Sequence, residues 1–176
     1  MLKIIAIAIL VAVVAILIYA TTKPDTFRVE RTSTIQAAPE KVFALIDDFH
    51  RWPTWSPYEK KDPDMKRTHS GAASGKGAIY EWDGDKNVGK GRMEVTESAP
   101  PSRIVIKLDF LAPFEAHNTA EFTLQAQGDS TQVTWAMYGP ANYVSKLMSV
   151  FFSMDKMVGD DSVSYTHLTL PTIYSV

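Results

Sequence analysis

Cysteine is absent from all 176 residues, so no disulfide framework, thiolate metal site or cysteine nucleophile can exist, and the redox compartment leaves no trace. Surplus positive charge is missing as well: 18 Lys and Arg stand against 20 Asp and Glu, for a net charge of -2. No basic field is available to neutralise a phosphate backbone, and nucleic acid is not an expected partner. The four histidines, His50, His69, His117 and His167, are scattered, with no pair at the i, i+4 spacing of a helical metal site. No metal and no cofactor are expected. A Gly-x-Ser-x-Gly elbow or comparable nucleophile signature is also missing, although triads assemble through space and their local absence does not exclude one. Internal repeats and low-complexity tracts do not occur outside the first twenty residues.

Those twenty residues hold the chain's long hydrophobic run. From Ile4 to Ala20 every residue is apolar or Tyr19, and eleven of the seventeen are Ile, Leu or Val. As a helix the run rises roughly 25 Å, enough to cross the hydrocarbon layer of a bilayer. A cleaved signal peptide is the rival reading, but Ile18 occupies a position where cleavage wants a small residue, and the run exceeds a usual apolar region of such a signal. A single-pass anchor over residues 1–20, holding the membrane through residues 4–20, is therefore expected. Lys3 lies on one flank and Lys23, Arg28 and Arg31 on the other, so charge scarcely chooses a side; the reading leans to an extracytoplasmic domain.

Residues 21–26, with Pro24, read as a linker, and a domain is expected over 27–161. It opens with a period-two segment from Phe27. Ala38-Pro39-Glu40 then places proline at a first helical position, followed by Val42, Phe43, Leu45 and Ile46 at helical spacing. Trp52-Pro53-Thr54-Trp55-Ser56-Pro57 breaks regularity twice. Beyond Met65 the apolar alternation recurs at Ala78, Tyr80 and Trp82, at Met93 and Val95, at Ile104, Ile106 and Leu108, at Ala120, Phe122 and Leu124, and at Val133, Trp135 and Met137. Turn residues separate the segments, which predicts an antiparallel meander with one apolar face. From Tyr143 the apolar positions Val144, Leu147, Met148, Phe151, Phe152, Met154, Met157 and Val158 return to helical spacing. An α+β domain follows, a curved antiparallel sheet packed against a long C-terminal helix, since neither can leave its apolar surface in water.

The stretches Ala38-Pro39-Glu40-Lys41-Val42-Phe43, Trp52-Pro53-Thr54-Trp55-Ser56-Pro57, Gly77-Ala78-Ile79-Tyr80-Glu81-Trp82, Val88-Gly89-Lys90-Gly91, Val133-Thr134-Trp135 and Met154-Asp155-Lys156-Met157-Val158-Gly159 carry a likeness. In that order they resemble the polyketide cyclase/dehydrase-like, membrane-anchored branch of the START or Bet v 1-like (SRPBCC) superfamily, over roughly Thr26 to Asp161. The resemblance implies the helix-grip fold, in which sheet and last helix hold a pocket between them. Superfamily members include lipid carriers, hormone-binding proteins, cyclases and chaperone-activator domains, so the likeness does not fix a function. Residues 162–176 depart from it. Their β-branched, proline-broken sequence lacks the apolar register with which relatives continue the last helix, and it reads as non-native sequence.

Two loops mimic known sites. Gly71 to Gly77 has the look of a phosphate-binding loop but is one residue short, and Gly77 stands where Ser or Thr would hold magnesium. Asp83, Asp85, Asn87 and Glu94 fall at offsets one, three, five and twelve of a calcium loop, yet Val88 replaces the turn glycine and the flanks alternate like strands; a hairpin turn is expected. Aromatic and methionine residues are the stronger signal. Pocket candidates on the strands are Tyr80, Trp82, Phe110, Phe122 and Trp135, with Met93 and Met137. Trp55 joins them from the Trp-Pro element, and Met148, Phe151 and Phe152 from the last helix, where a flexible thioether suits an adaptable wall. Glu81, Arg92, Glu94 and Glu121 are expected on the opposite, wet face. The leading expectation is a membrane-anchored domain binding a hydrophobic or lipid-like small molecule. A cyclase or dehydratase-like enzyme and a protein-interaction module of chaperone-activator type remain alternatives, with catalytic residues and any protein partner open.

Overall fold

Helix α1 (Leu2–Thr21) contains the apolar run, and the stretch Lys3–Thr21 is long and apolar enough to span a membrane. The computed structural model describes residues 1–151, with Leu2 and Phe151 as backbone only; Phe152, Met154, Met157, Val158 and the 162–176 segment lie outside the described residues. The hydroxyls of Thr21 and Thr22 turn back to donate to the Ile18 and Tyr19 carbonyls at 2.7 and 2.8 Å. These bonds satisfy acceptors that a helix end leaves open. Four residues later β1 (Thr26–Ile35) begins.

Helix α2 (Pro39–Ile46) starts on its proline and buries Val42, Phe43 and Ile46. The Trp-Pro element forms a 3-10 turn, Phe49–Thr54, whose chain doubles back under α2. Trp52 Nε1 donates to the Ile46 carbonyl at 2.9 Å and Trp55 Nε1 to the Leu45 carbonyl at 3.0 Å. The two indoles thus close the C-terminal carbonyls of α2, which is why buried tryptophans, with one polar handle each, suit this corner. A short helix, α3 (Pro57–Lys61), follows.

The remaining chain forms β2 (Lys66–Gly71), β3 (Ala78–Asp83), β4 (Lys90–Ala99), β5 (Arg103–Ala112), β6 (Ala116–Gln127) and β7 (Ser130–Pro140). They build one antiparallel sheet in the order β1-β7-β6-β5-β4-β3-β2. Every link from β2 to β7 is a hairpin, as the turn chemistry predicts, and β1 closes the row beside β7. A bulge between Val95 and Glu97 bends β4. Thr131 Oγ1 donates to the Ala37 carbonyl at 2.7 Å and Ser98 Oγ to the Asp47 carboxylate at 2.7 Å, so both ends of α2 are fastened to the sheet.

Register assigns the faces. Trp82, Gly91 and Phe110 lie abreast, as do Tyr80, Met93 and Leu108, and Trp135 and Phe122 sit opposite one another. These inner positions form the core together with α2 and the Trp-Pro turn. Helix α4 (Tyr143–Phe151) begins at Asn142, whose side-chain oxygen accepts from the Ser145 N–H at 2.8 Å. Its described turns lean on α1, where the Tyr143 hydroxyl donates to the Leu17 carbonyl at 3.1 Å, and Lys146 pairs with Asp25 in the segment between α1 and β1.

Candidate functional site

The inner face is largely apolar from β3 through β7, with Asn118 and the α2-fastening Ser98 and Thr131 as polar positions, and it turns polar at both margins. On β1, Arg31 stands opposite Trp135. On β2, Arg67 pairs with Trp82 and His69 with Tyr80, so both point to the core side. This strand is absent from the sequence expectations, because its inward positions carry a guanidinium and an imidazole instead of apolar groups.

Glu59, on α3, reaches into that margin. Its side chain is 4% exposed. Oε1 accepts from the Tyr80 hydroxyl at 2.6 Å, and Oε2 from Arg67 Nε at 2.6 Å. Arg67 Nη1 also donates to the Met65 and Pro63 carbonyls. A carboxylate buried this deeply is tolerated because each oxygen has a strong donor and a counter-charge is in contact. Burial, and then the Glu59 carboxylate, push the Tyr80 phenol well above its ordinary range. Tyr80 therefore stays protonated and donating throughout the physiological range.

Beside this cluster the rings of His50 and His69 stack with centroids 4.2 Å apart, and His69 lies 5.1 Å from the Tyr80 ring. The two histidines, nineteen residues apart and read as scattered in the sequence, are neighbours in space; the hairpin partner of β3 brings His69 back over the Phe49–Thr54 turn. His69 Nε2 is buried with no hydrogen-bond partner, and among the described residues Ser56 Oγ shares that condition. Desolvation first, then the charge His50 would carry, hold the His69 imidazole below its ordinary pKa. His117, on the outer face, moves the other way through its 2.7 Å hydrogen bond with Asp109.

These opposite shifts predict opposite pH dependences. The unfolded chain protonates His69 more readily than the native one does. Its contribution to stability is therefore fully present above about pH 6.5 and is lost as pH falls through the lowered native value. For His117 the contribution is full below about pH 6.5 and is lost as pH rises through the raised value. Denaturant midpoints measured from pH 5 to 8 are expected to lose their acid-side slope in His69→Phe, and their slope above neutrality in His117→Asn.

An aromatic chain leads inward from the cluster. Tyr80 lies 6.2 Å from Trp82 and 5.9 Å from Phe49, Trp82 meets Phe110 edge-on at 5.9 Å, and Phe122 receives Trp52 and Trp55 edge-on at 6.5 Å each. Among the sequence candidates, Trp55, Tyr80, Trp82, Met93, Phe122, Trp135 and Met137 are buried and Phe110 partly so. Met148 is 41% exposed on α4, and the Phe151 side chain and Phe152 lie outside the described residues. The charged strand residues occupy the outer face: Arg92 pairs with Glu94 at 2.8 Å and Glu121 with Arg103 at 2.7 Å, while Glu81 is exposed.

Both look-alike loops are hairpin connections. Gly71 to Gly77 joins β2 to β3 with its end glycines at positive φ, and Asp83 to Gly89 joins β3 to β4, where Asp85 Oδ1 accepts from the Asn87 N–H at 2.7 Å. Among the described residues no three His, Asp or Glu side chains are placed to hold a metal ion.

Sequence reasoning passes over Glu59, Arg67 and His69. Glu59 sits in the charged run Tyr58-Glu59-Lys60-Lys61-Asp62, which looks solvated. The usable signal is the alternation in Lys66-Arg67-Thr68-His69-Ser70, which is period-two with titratable groups in the inward places.

Comparisons with known proteins agree with this architecture. A crystal structure of protein Ms6760 from Mycobacterium smegmatis matches with TM-score 0.55 at 18% identity, over 82% of this chain and 88% of that one. The ginseng major latex-like protein 151 from Panax ginseng matches with TM-score 0.56 at 13% identity, over 81% and 94%. The Aha1 dimer from Colwellia psychrerythraea gives TM-score 0.51 at 14% identity, over 78% and 87%. At such identities the likeness is one of fold, the curved sheet and C-terminal helix of the Bet v 1-like helix-grip proteins. No curated protein matches the chain in sequence. The family model described as polyketide cyclase / dehydrase and lipid transport matches residues 26–160, most of the chain, and the protein therefore belongs to that family within the SRPBCC superfamily.

Proposed function

We infer that the protein is a membrane-anchored binder of an amphipathic small molecule, lipid-like in its apolar bulk and carrying one hydrogen-bonding group. The family's span of cyclases and lipid carriers supports a ligand-handling role. The observation that carries the finer reading is the buried, unpartnered His69 Nε2 at the end of an otherwise aromatic wall. Leaving a buried nitrogen unpaired costs about 1–3 kcal/mol; the neutral ring's other nitrogen is turned to the Phe49 carbonyl, so Nε2 accepts, and a ligand hydroxyl or protonated carboxyl would remove that cost. Trp82, Met93, Phe110, Phe122, Trp135 and Met137 line the apolar part of the pocket in this reading, with Trp55 above. Residues 1–20 hold the membrane, 21–26 link, and 27–161 bind.

The domain released from residues 1–21 is expected to carry a narrow class of amphipathic molecules, identified by organic extraction and mass spectrometry. A domain that is persistently empty, and unmoved in melting temperature by single-chain lipids and fatty acids, would overturn the reading. His69→Phe keeps a ring between His50 and Tyr80 but removes the nitrogen. Its affinity for the extracted ligand is expected to fall about 5–10-fold, the equivalent of one hydrogen bond near 1–1.5 kcal/mol, with unfolding midpoints shifted by no more than ~1 kcal/mol. Equal affinity in the variant would remove His69 from the site.

A further inference from the structure

The end of the sheet that receives the tether is the end with exposed apolar side chains. Thr26 pairs with Pro140 and Phe27 with Gly139, so β1 starts where β7 ends and α4 begins. A Cβ placed on Gly139 would lie 3.0 Å from the His117 carbonyl, and one on Gly89 would lie 2.3 Å from the Ala112 carbonyl. The connection between β5 and β6 is therefore at this same end. At and beside its tip, Phe114 is 82% exposed and Leu111 49%. On α4, Val144 is 65% exposed and Met148, one helical turn on, 41%. Tyr143, 44% exposed, is pinned by its hydroxyl to the Leu17 carbonyl. Leu17 lies four residues inside the end of α1, a depth of about 6 Å along the helix at 1.5 Å per residue. If α1 spans a bilayer, Tyr143 is held at the level where aromatic residues gather in membrane interfaces.

Resting on the anchor reading above, we propose that the domain docks on the bilayer through this end, with Phe114, Leu111, Tyr143, Val144 and Met148 entering the interfacial layer. The occupant is the lipid surface itself, because the tether that ends in this face, apolar over Lys3–Thr21, holds the bilayer beside it. Large apolar side chains left in water at several neighbouring points mark an interaction surface, and a tethered domain meets its own membrane at high effective concentration. Three of the polar groups at this end already have partners: Glu115 pairs with His117 at 3.3 Å, Asp83 with Lys90 at 2.9 Å, and Lys23 lies 4.7 Å over the Tyr19 ring. These belong at headgroup level, where long cationic stems remain solvated.

The absence of cysteine makes the test direct. Single variants Ala12→Cys in the anchor, Phe114→Cys in the loop, Val144→Cys on α4 and Asp129→Cys at the opposite end of the sheet are labelled with an environment-sensitive nitrobenzoxadiazole. The full chain is then reconstituted in phosphatidylcholine vesicles. Labels at 12, 114 and 144 are expected to be quenched by nitroxide lipids and lost to aqueous iodide, with blue-shifted emission, while the label at 129 is quenched by iodide alone. Lipid quenching at 12 with iodide quenching at 114 and 144 would overturn docking and leave the anchor standing. Iodide quenching at 12 would overturn the anchor, and docking with it.

Discussion

Glu59→Ala is expected to lower the stability of the folded chain by about 3–5 kcal/mol, the range for removing one partner of a buried ion pair. The carboxylate neutralises Arg67, whose side chain is 23% exposed, and accepts from Tyr80, which is 2% exposed. Without it a charge and a hydroxyl are both left in a low-dielectric margin. Glu59→Gln is expected to fall between alanine and the parent, since an amide oxygen still serves Tyr80 but no charge faces Arg67. Tyr80→Phe removes a donor while Glu59 keeps Arg67, and about 1–2 kcal/mol is expected for one acceptor oxygen left short. Guanidinium midpoints of the full chain in one detergent measure all three. The double variant Glu59→Ala, Tyr80→Phe is expected to lose less than the sum, because the two changes share one hydrogen bond. An alanine variant within ~1 kcal/mol of the parent would mean that packing alone holds α3 to β2 and β3.

In the ligand-binding reading proposed above, the cluster fixes the geometry at one end of the wall. With Tyr80 donating to Glu59 and Arg67 occupied by Glu59 and main-chain carbonyls, these three groups position one another. Among the described residues His69 Nε2 and Ser56 Oγ are buried without a partner, and His69 is the one whose ring lies against Tyr80. Tyr80, its pKa pushed up, is a poor acid near neutral pH and serves in this cluster as a hydrogen-bond donor.

The strands from β3 to β7 were legible because their inward positions are apolar and their outward ones polar, so a period-two reading finds them and their turns give the hairpin order. β2 obeys the same geometry with Arg67 and His69 facing in, and a scan for apolar alternation has nothing to register. Its partners are non-local: Glu59 comes from a helix and Tyr80 from the next strand, and only the register of His69 with Tyr80 brings the three elements together. The Trp-Pro element was legible as a break. That its indole N–H groups close the carbonyls of α2 depends on a chain reversal that no spacing rule encodes. For α4 the helical period was plain, whereas its contacts with α1 through Tyr143 and with the following linker through Lys146 depend on partners, Leu17 and Asp25, more than a hundred positions away.

A second large effect is expected from a single methyl group on β4. A Cβ at Gly91 would fall 2.3 and 2.4 Å from the Trp82 indole and 2.6 Å from the Asp109 carbonyl. These lie well inside contact distance, and one of the obstacles is backbone. Trp82 cannot simply turn aside, because its Nε1 donates to the Val88 carbonyl at 3.1 Å and its ring is wedged between Tyr80 and Phe110. Gly91→Ala is therefore expected at or beyond the upper end of overpacking costs, about 3 kcal/mol. Trp82→Leu opens space in front of the same carbon at its own cost of lost burial. In the double variant the two losses are expected to be strongly sub-additive, by at least ~1 kcal/mol, as residues in direct contact are. Additive losses would place the strain of Gly91→Ala on the β5 backbone at Asp109 instead of on the indole. Sub-additivity would identify the glycine as the notch that lets Trp82 lie flat on the sheet, and so as a determinant of how much room the inner face leaves for a ligand.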